Sequence, residues 1–212
     1  MEIIFILIVL LFSVIIHEIA HGSVALYLGD QTAKNEGRLT LNPLKHLDPI
    51  GSVIVPLFLA LMANLTGGGI ILGWAKPVPV NPYNFRDQKY GQAKVALAGP
   101  AANFLIALIF GTIIRFISEQ NQTNLFYQNS ITIFGFIVWI NLLLGIFNLI
   151  PIPPLDGSHI LFTFLPYSFQ KTRFFFAQYG LLFLLIFIFF LFPLIIPIIR
   201  FLFKLITGIS FV

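Results

Sequence analysis

Residues 3–28 read IIFILIVLLFSVIIHEIAHGSVALYL, and this stretch decides the class of fold. At 1.5 Å per residue, a helix of this length crosses a hydrocarbon core of about 30 Å. Gly29 and Asp30 follow as a helix stop. Inside the run sit His17, Glu18 and His21. Ionisable groups in an apolar helix are costly, and they mark function by default. A signal peptide is a poor reading, because Glu2 rather than Lys or Arg precedes the run and no cleavage site ends it.

Composition agrees with that opening. Of 212 residues, 58% are hydrophobic and 9% charged, and 25 are Phe. So few charges cannot cover a soluble domain, for which about 25% is usual. A soluble enzyme, a disordered chain and a nucleic-acid-binding domain are excluded. The net charge of +4 is read as basic loops on the cytoplasmic side, not as a nucleic-acid footprint. There is no cysteine, so any metal site must use His, Asp or Glu.

Further apolar runs follow at Ala93–Ile117, Ile131–Ile150 and Phe174–Phe192. The tail Pro193–Val212 either crosses again or lies in the interface. Gln31–Leu41 is expected to hold a short hairpin, and Lys76–Asn81, broken by Pro77 and Pro79, an extended segment. Nine of the 12 Lys and Arg fall in three loops: Lys34, Arg38 and Lys45; Lys76, Arg86, Lys89 and Lys94; Lys171 and Arg173. If those loops are cytoplasmic, residues 118–130 face outside. Pro49–Trp74 must then return to its starting side, as a re-entrant loop or hairpin. Such irregular backbone is tolerated at membrane depth only against protein or a water-filled cavity. The expected fold is an all-α integral membrane protein, a polytopic helical bundle of about four to six spans. Residues 1–212 form one transmembrane domain in this reading, multi-pass in a cell membrane.

His17-Glu18-Ile19-Ala20-His21 is the HExxH pattern. Positions i and i+4 share one helix face, so both imidazoles can bind one metal, with Glu18 beside them as general base. With four His and four Glu in the chain, chance supplies about 0.0014 such patterns. Catalytic zinc takes a third protein ligand. The candidates are Asp156, His159, His46, Asp48 and Glu36. His17 lies about 21 Å into the core, so the metal sits about 9 Å from the cytoplasmic face. The third span ends at that depth near Ile150, which favours Asp156, with His159 as the main rival. Asn81 and Asn103 are candidates either to support the site or simply to cap and pack helices.

HEIAHG on the first helix, LAGPAANF opening the second and NLIPIPPLDG closing the third resemble the site-2 protease family of intramembrane zinc metalloproteases. GRLTLNPLKHLDPIG and GWAKPVPVNPYNF resemble a small prokaryotic subgroup with neither PDZ nor CBS domains. The resemblance covers residues 3–191. It implies one Zn2+ per chain held by His17, His21 and Asp156, Glu18 as base, and Asn148 near the reacting carbonyl. It also implies a transmembrane protein as substrate, cut within or near its membrane segment in regulated intramembrane proteolysis. Asn148 is a neutral donor suited to an oxyanion. A helical substrate must unwind before its backbone can be attacked, and Gln31–Leu41 or Lys76–Asn81 could receive the unwound strand by edge addition. The alternatives are a zinc transporter, disfavoured because the second and fourth spans hold no His or carboxylate, and an inactive binding protein on the same fold, disfavoured by Glu18.

Overall fold

The computed structural model describes residues 2–55, 58–59, 61–62, 75–118 and 125–210. Seven α-helices are described, and no strand occurs among the described residues. They are α1 (Glu2–Tyr27), α2 (Thr32–Asn35), α3 (Gly91–Ser118), α4 (Leu125–Asn148), α5 (Asp156–Phe164), α6 (Gln170–Ile186) and α7 (Ile195–Thr207). Four helical runs are long and apolar enough to cross a membrane: Ile4–Tyr27, Gly91–Ile117, Leu125–Asn148 and Gln170–Thr207. The fold is all-α and polytopic.

α1 packs on α3, and α3 packs on α4 and α5. Each buries a stripe at i, i+3 or i+4 spacing, which is the helical period. On α1 the stripe is Val9, Ser13, His17, His21 and Ala25. On α3 it runs through Ala96, Asn103, Ala107 and Ile114. Small residues let the helices approach closely, as membrane helices require. A side chain at Gly145 of α4 would meet the ring of Phe104 on α3. The C-terminal end of α1, the start of α3 and the end of α4 meet at one end of the bundle, where the chain needs them for a site.

Three expectations need correction. Gln31–Leu41 is not a hairpin: Thr32–Asn35 forms a helical turn, nucleated by Asp30 Oδ1, which accepts from the Thr32 N–H and hydroxyl. Gln170–Arg173 is not a loop but the first turn of α6. α4 begins at Leu125, before the expected Ile131. The tail from Pro193, left open above between a further crossing and an interfacial course, packs against the bundle. Wide and tight helical turns at Phe187–Leu191 and Phe192–Leu194 absorb the proline, and α7 continues the run. α7 buries Ile195, Ile199, Phe203 and Thr207, four apart, against α3 and α4. Pro49–Ile54 opens as a wide helical turn capped by Asp48, whose Oδ1 accepts from the Ile50 and Gly51 N–H groups. The re-entrant path expected for Pro49–Trp74 lies largely outside the described residues.

Candidate active site

His17 and His21 lie one turn apart on the buried face of α1 because the HExxH spacing matches the helix period. Their Nε2 atoms are 3.0 Å apart. Asp156 enters from the first turn of α5, and its Oδ2 lies 3.1 Å from His17 Nε2 and 3.3 Å from His21 Nε2. The broken run Pro151–Leu155 sets this position by ending α4 and restarting the helix at Asp156. Gly157 is required beside it, since a Cβ there would collide with the Leu149 and Ile150 carbonyls.

The other ring nitrogens fix what the Nε2 atoms can be. His21 Nδ1 is 2.7 Å from the Val95 carbonyl, which can only accept, so the proton sits on Nδ1. His17 Nδ1 is 2.5 Å from Asn103 Oδ1 and carries its proton in the same way. Both Nε2 lone pairs therefore face each other and a carboxylate oxygen. Asp156 Oδ2 is buried and accepts no hydrogen bond. Three converging acceptors with no donor among them are a cation site. Among the described residues this is the one such group of His and carboxylate ligand atoms, all within 4.8 Å of one another. Tetrahedral zinc with ligand bonds near 2.0–2.2 Å separates its ligand atoms by about 3.3–3.5 Å, close to the spacing here.

Gly99 of α3 faces this cluster. A Cβ there would stand 2.5 Å from His17 Nε2 and would overlap His21 Nε2. The missing side chain keeps open the space beside His17 and His21. A glycine next to Pro100 inside a helix is unfavourable by propensity, and that local conflict is the signal that a sequence reading can use.

Glu18 is half-buried beside the cluster, and its Oε2 accepts a 2.7 Å hydrogen bond from the Val78 N–H. Val78 belongs to an extended strap, residues 75–81, laid across the site. Pro77 and Pro79 remove the donors on alternate residues, so Val78 has the sole N–H within 77–79. The buried Arg38 holds the strap through the Lys76 carbonyl at 2.7 Å and the Pro77 carbonyl at 3.1 Å. Asp30 holds its other end, accepting from the Asn81 N–H at 2.7 Å and the Asn84 amide at 2.8 Å. Burial alone would raise the Asp30 carboxyl. The hydrogen bonds from the Thr32 side chain, the Asn81 backbone and the Asn84 side chain outweigh it and hold its pKa below the ordinary value.

Asn148, at the end of α4, lines the same cavity of about 370 Å³ as His17, Glu18, His21, Asp156 and His159. One Asn148 amide N–H is spent on the Leu144 carbonyl at 3.0 Å, which orients the group and leaves the second N–H for another acceptor. His159 lines the same cavity but stands outside the cluster, with its Nδ1 3.0 Å from the Gln92 amide. Burial lowers its pKa, so it is a neutral imidazole at neutral pH. The other rival ligands are elsewhere. His46 is buried with Nε2 on the Thr40 carbonyl, Asp48 caps a turn, and Glu36 ends α2. Asn81 accepts from the Tyr83 N–H as a turn cap. The role of the Val78 N–H could not be read from side-chain pattern, because the group belongs to the backbone.

Comparison with known proteins now has geometry to rest on. Residues 115–192 match the profile of peptidase family M50. The "Putative zinc metalloprotease YwhC" of Bacillus subtilis is 37% identical over 164 residues, 76% of this chain and 69% of that one. The "Putative zinc metalloprotease Rip2" of Mycolicibacterium smegmatis is 32% identical over 149 residues, 69% of this chain and 52% of its own. This chain therefore spans about half of the mycolicibacterial relative. The "Putative zinc metalloprotease MJ0611" of Methanocaldococcus jannaschii is 46% identical over 68 residues, 32% of each chain. No solved structure matches. A similarity that covers two thirds of a full-length relative, joined to an HExxH helix and a converging aspartate, leaves one assignment: the chain belongs to peptidase family M50, the site-2 protease family of zinc metalloproteases.

Proposed function

We propose that this metalloprotease cuts a peptide bond within or near the transmembrane segment of a membrane protein, in regulated intramembrane proteolysis. His17, His21 and Asp156 hold the zinc in this reading, and residues 1–212 act as one domain. The carrying observation is the depth of the cluster. His17 and His21 lie in the membrane-length run Ile4–Tyr27, so a substrate bond must enter the bilayer to reach them.

Bound zinc would supply a Lewis acid and a water that is nucleophilic at neutral pH. The chain's own groups do the rest. Glu18 takes the proton of the attacking water and returns it to the leaving amine, as a general base that becomes a general acid. The Val78 N–H holds one carboxylate oxygen, leaving Oε1 for that proton. The free N–H of Asn148 donates to the oxygen that gains charge at the scissile carbonyl.

The strap lines the cavity through Pro77, Val78 and Val80, and we place that face on the cytoplasmic side of a prokaryotic plasma membrane. The support is the run of basic residues in the segments between α1 and the first turn of α3: Lys34, Arg38, Lys45, Lys76, Arg86, Lys89 and Lys94. Purified protein and its His17→Ala, Asp156→Ala double variant test the ligand assignment. Metal analysis should find about one zinc per wild-type chain and a loss in the double variant. Stoichiometric zinc in the double variant would overturn the assignment.

A further inference from the structure

Behind His17, away from the ligand cluster, a file of polar groups crosses the bundle core. His17 Nδ1 meets Asn103 Oδ1 on α3 at 2.5 Å. Asn103 Nδ2 meets Asn141 Oδ1 on α4 at 2.9 Å. Asn141 Nδ2 meets Ser13 Oγ, back on α1, at 2.9 Å and the Ile137 carbonyl of its own helix at 2.9 Å. Asn103 and Asn141 are fully buried, and Ser13 is nearly so. Two carboxamides among apolar helices are costly unless they are satisfied. Cohesion alone is a weak reason to keep them, because hydrogen bonds between membrane helices are modest stabilisers.

The direction of each bond gives a better reason. An amide can be turned end for end, and a hydroxyl can donate or accept, so neither sets a direction. The Ile137 carbonyl can only accept. The Asn141 atom facing it must therefore be the NH2, which turns Asn141 Oδ1 toward Asn103. That oxygen accepts, so Asn103 must present its NH2 to Asn141 and its oxygen to His17. The Asn103 oxygen accepts in turn, so His17 carries its proton on Nδ1. Nε2 is left as a lone pair aimed at the cluster. His21 reaches the same state in one step, from the Val95 carbonyl.

We infer that Asn103 and Asn141 are positioning residues that transmit the polarity of the Ile137 carbonyl to His17, fixing the tautomer in which this histidine can bind a metal. A carboxylate commonly does this for a ligating histidine. Here the relay does it with no charge in the membrane core. Ser13 fills a remaining position but sets no direction. The inference rests on His17 being a ligand, as proposed above.

The test uses full-length protein in detergent and two readouts. The first is zinc affinity by competition with a chelator. The second is the tautomer of His17 in the apo protein, read by NMR of ring-labelled histidine, with His17→Ala for assignment. The double variant Asn103→Leu, Asn141→Leu replaces both partners by apolar side chains, so no buried amide is orphaned and folding is preserved. Its zinc affinity should fall about 10- to 100-fold, as for lost outer-shell partners. Its His17 should lose the Nδ1-protonated form as the sole species, with apo Tm near wild type. Ser13→Ala should leave affinity and tautomer unchanged.

Wild-type affinity and tautomer in the double variant would overturn the relay. So would a Ser13→Ala loss as large as that of the double variant, since the hydroxyl rather than the carbonyl would then anchor the file. If His17→Ala itself retains wild-type zinc affinity, the ligand assignment fails instead, which separates the two claims.

Discussion

Gly99→Ala sets two consequences of one methyl group against each other. By helix propensity, alanine in a helix interior is favoured over glycine by about 0.5–1 kcal/mol. That gain offsets part of the about 1–3 kcal/mol that overpacking costs, so a stability assay on apo protein should register a modest loss. The site should suffer. The new carbon would stand 2.5 Å from His17 Nε2 and 2.6 Å from His17 Cε1, and would also overlap His21 Nε2. Carbon contacts settle near 3.5–4.0 Å, so α1 and α3 must part by about 1 Å, or both imidazoles must swing away. A ligand displacement of that size costs about 100-fold in a positioned reaction. The assay is cleavage of a single-span substrate, with zinc content and apo Tm measured on the same preparations. The expected result is a Tm within a few degrees of wild type, zinc below stoichiometry and cleavage down about 100-fold or more. Full zinc and full activity in Gly99→Ala would refute the geometry of the cluster.

Other outcomes follow from named contacts. Asn148→Ala should lower cleavage about 10²- to 10³-fold at unchanged zinc content, as for loss of one oxyanion donor; comparing kcat at saturating substrate checks it. Arg38→Ala should free the strap at Lys76 and Pro77, raising proteolytic nicking near residue 76 and weakening substrate binding more than zinc binding, measured by limited proteolysis and KM. Asp30 titrates below its ordinary value in the folded protein, so its stabilisation of the strap is present above the unfolded pKa near 4 and is lost as pH falls through the folded value. Strap protection in hydrogen exchange should therefore decline in acid below about pH 4 in wild type, and Asp30→Asn should show weak protection at every pH. Cysteines placed at Gly37 and Asn129 should be labelled from opposite faces of the membrane; same-side labelling would contradict the orientation.

The spans and the convergence of His17, His21 and Asp156 were legible in the sequence for different physical reasons. Apolar length alone specifies a membrane helix, and α1 and α3 appear where the hydropathy puts them, while α4 starts earlier than the expected Ile131. His17 and His21 were legible because the helix period brings i and i+4 together. Matching depths on α1 and α4, counted at the helix rise, favoured Asp156 over His159. What stayed hidden depended on tertiary contact. The Gln31–Leu41 segment carries hairpin-like punctuation at Gly37, yet a helical turn forms there instead, its first residue Thr32 donating to Asp30. Pro193 reads as a break, but wide turns before it let the run continue, because Ile195, Ile199 and Phe203 bury against α3 and α4. Asn103 was visible as a polar residue in a span, but its direction depends on the Ile137 carbonyl of another helix, which no local pattern encodes.

Glu18→Gln is the most direct test of the central claim. Glutamine keeps the shape of the side chain and still accepts from the Val78 N–H, but it cannot take the water's proton. The protein should be reconstituted in lipid with a single-span substrate, and the fragments sized by mass spectrometry beside a zinc determination. The account predicts wild-type fragments that end within or next to the substrate's apolar segment, and a loss of about 10²- to 10⁴-fold or more in Glu18→Gln at undiminished zinc. Wild-type cleavage by Glu18→Gln at full zinc occupancy would contradict it.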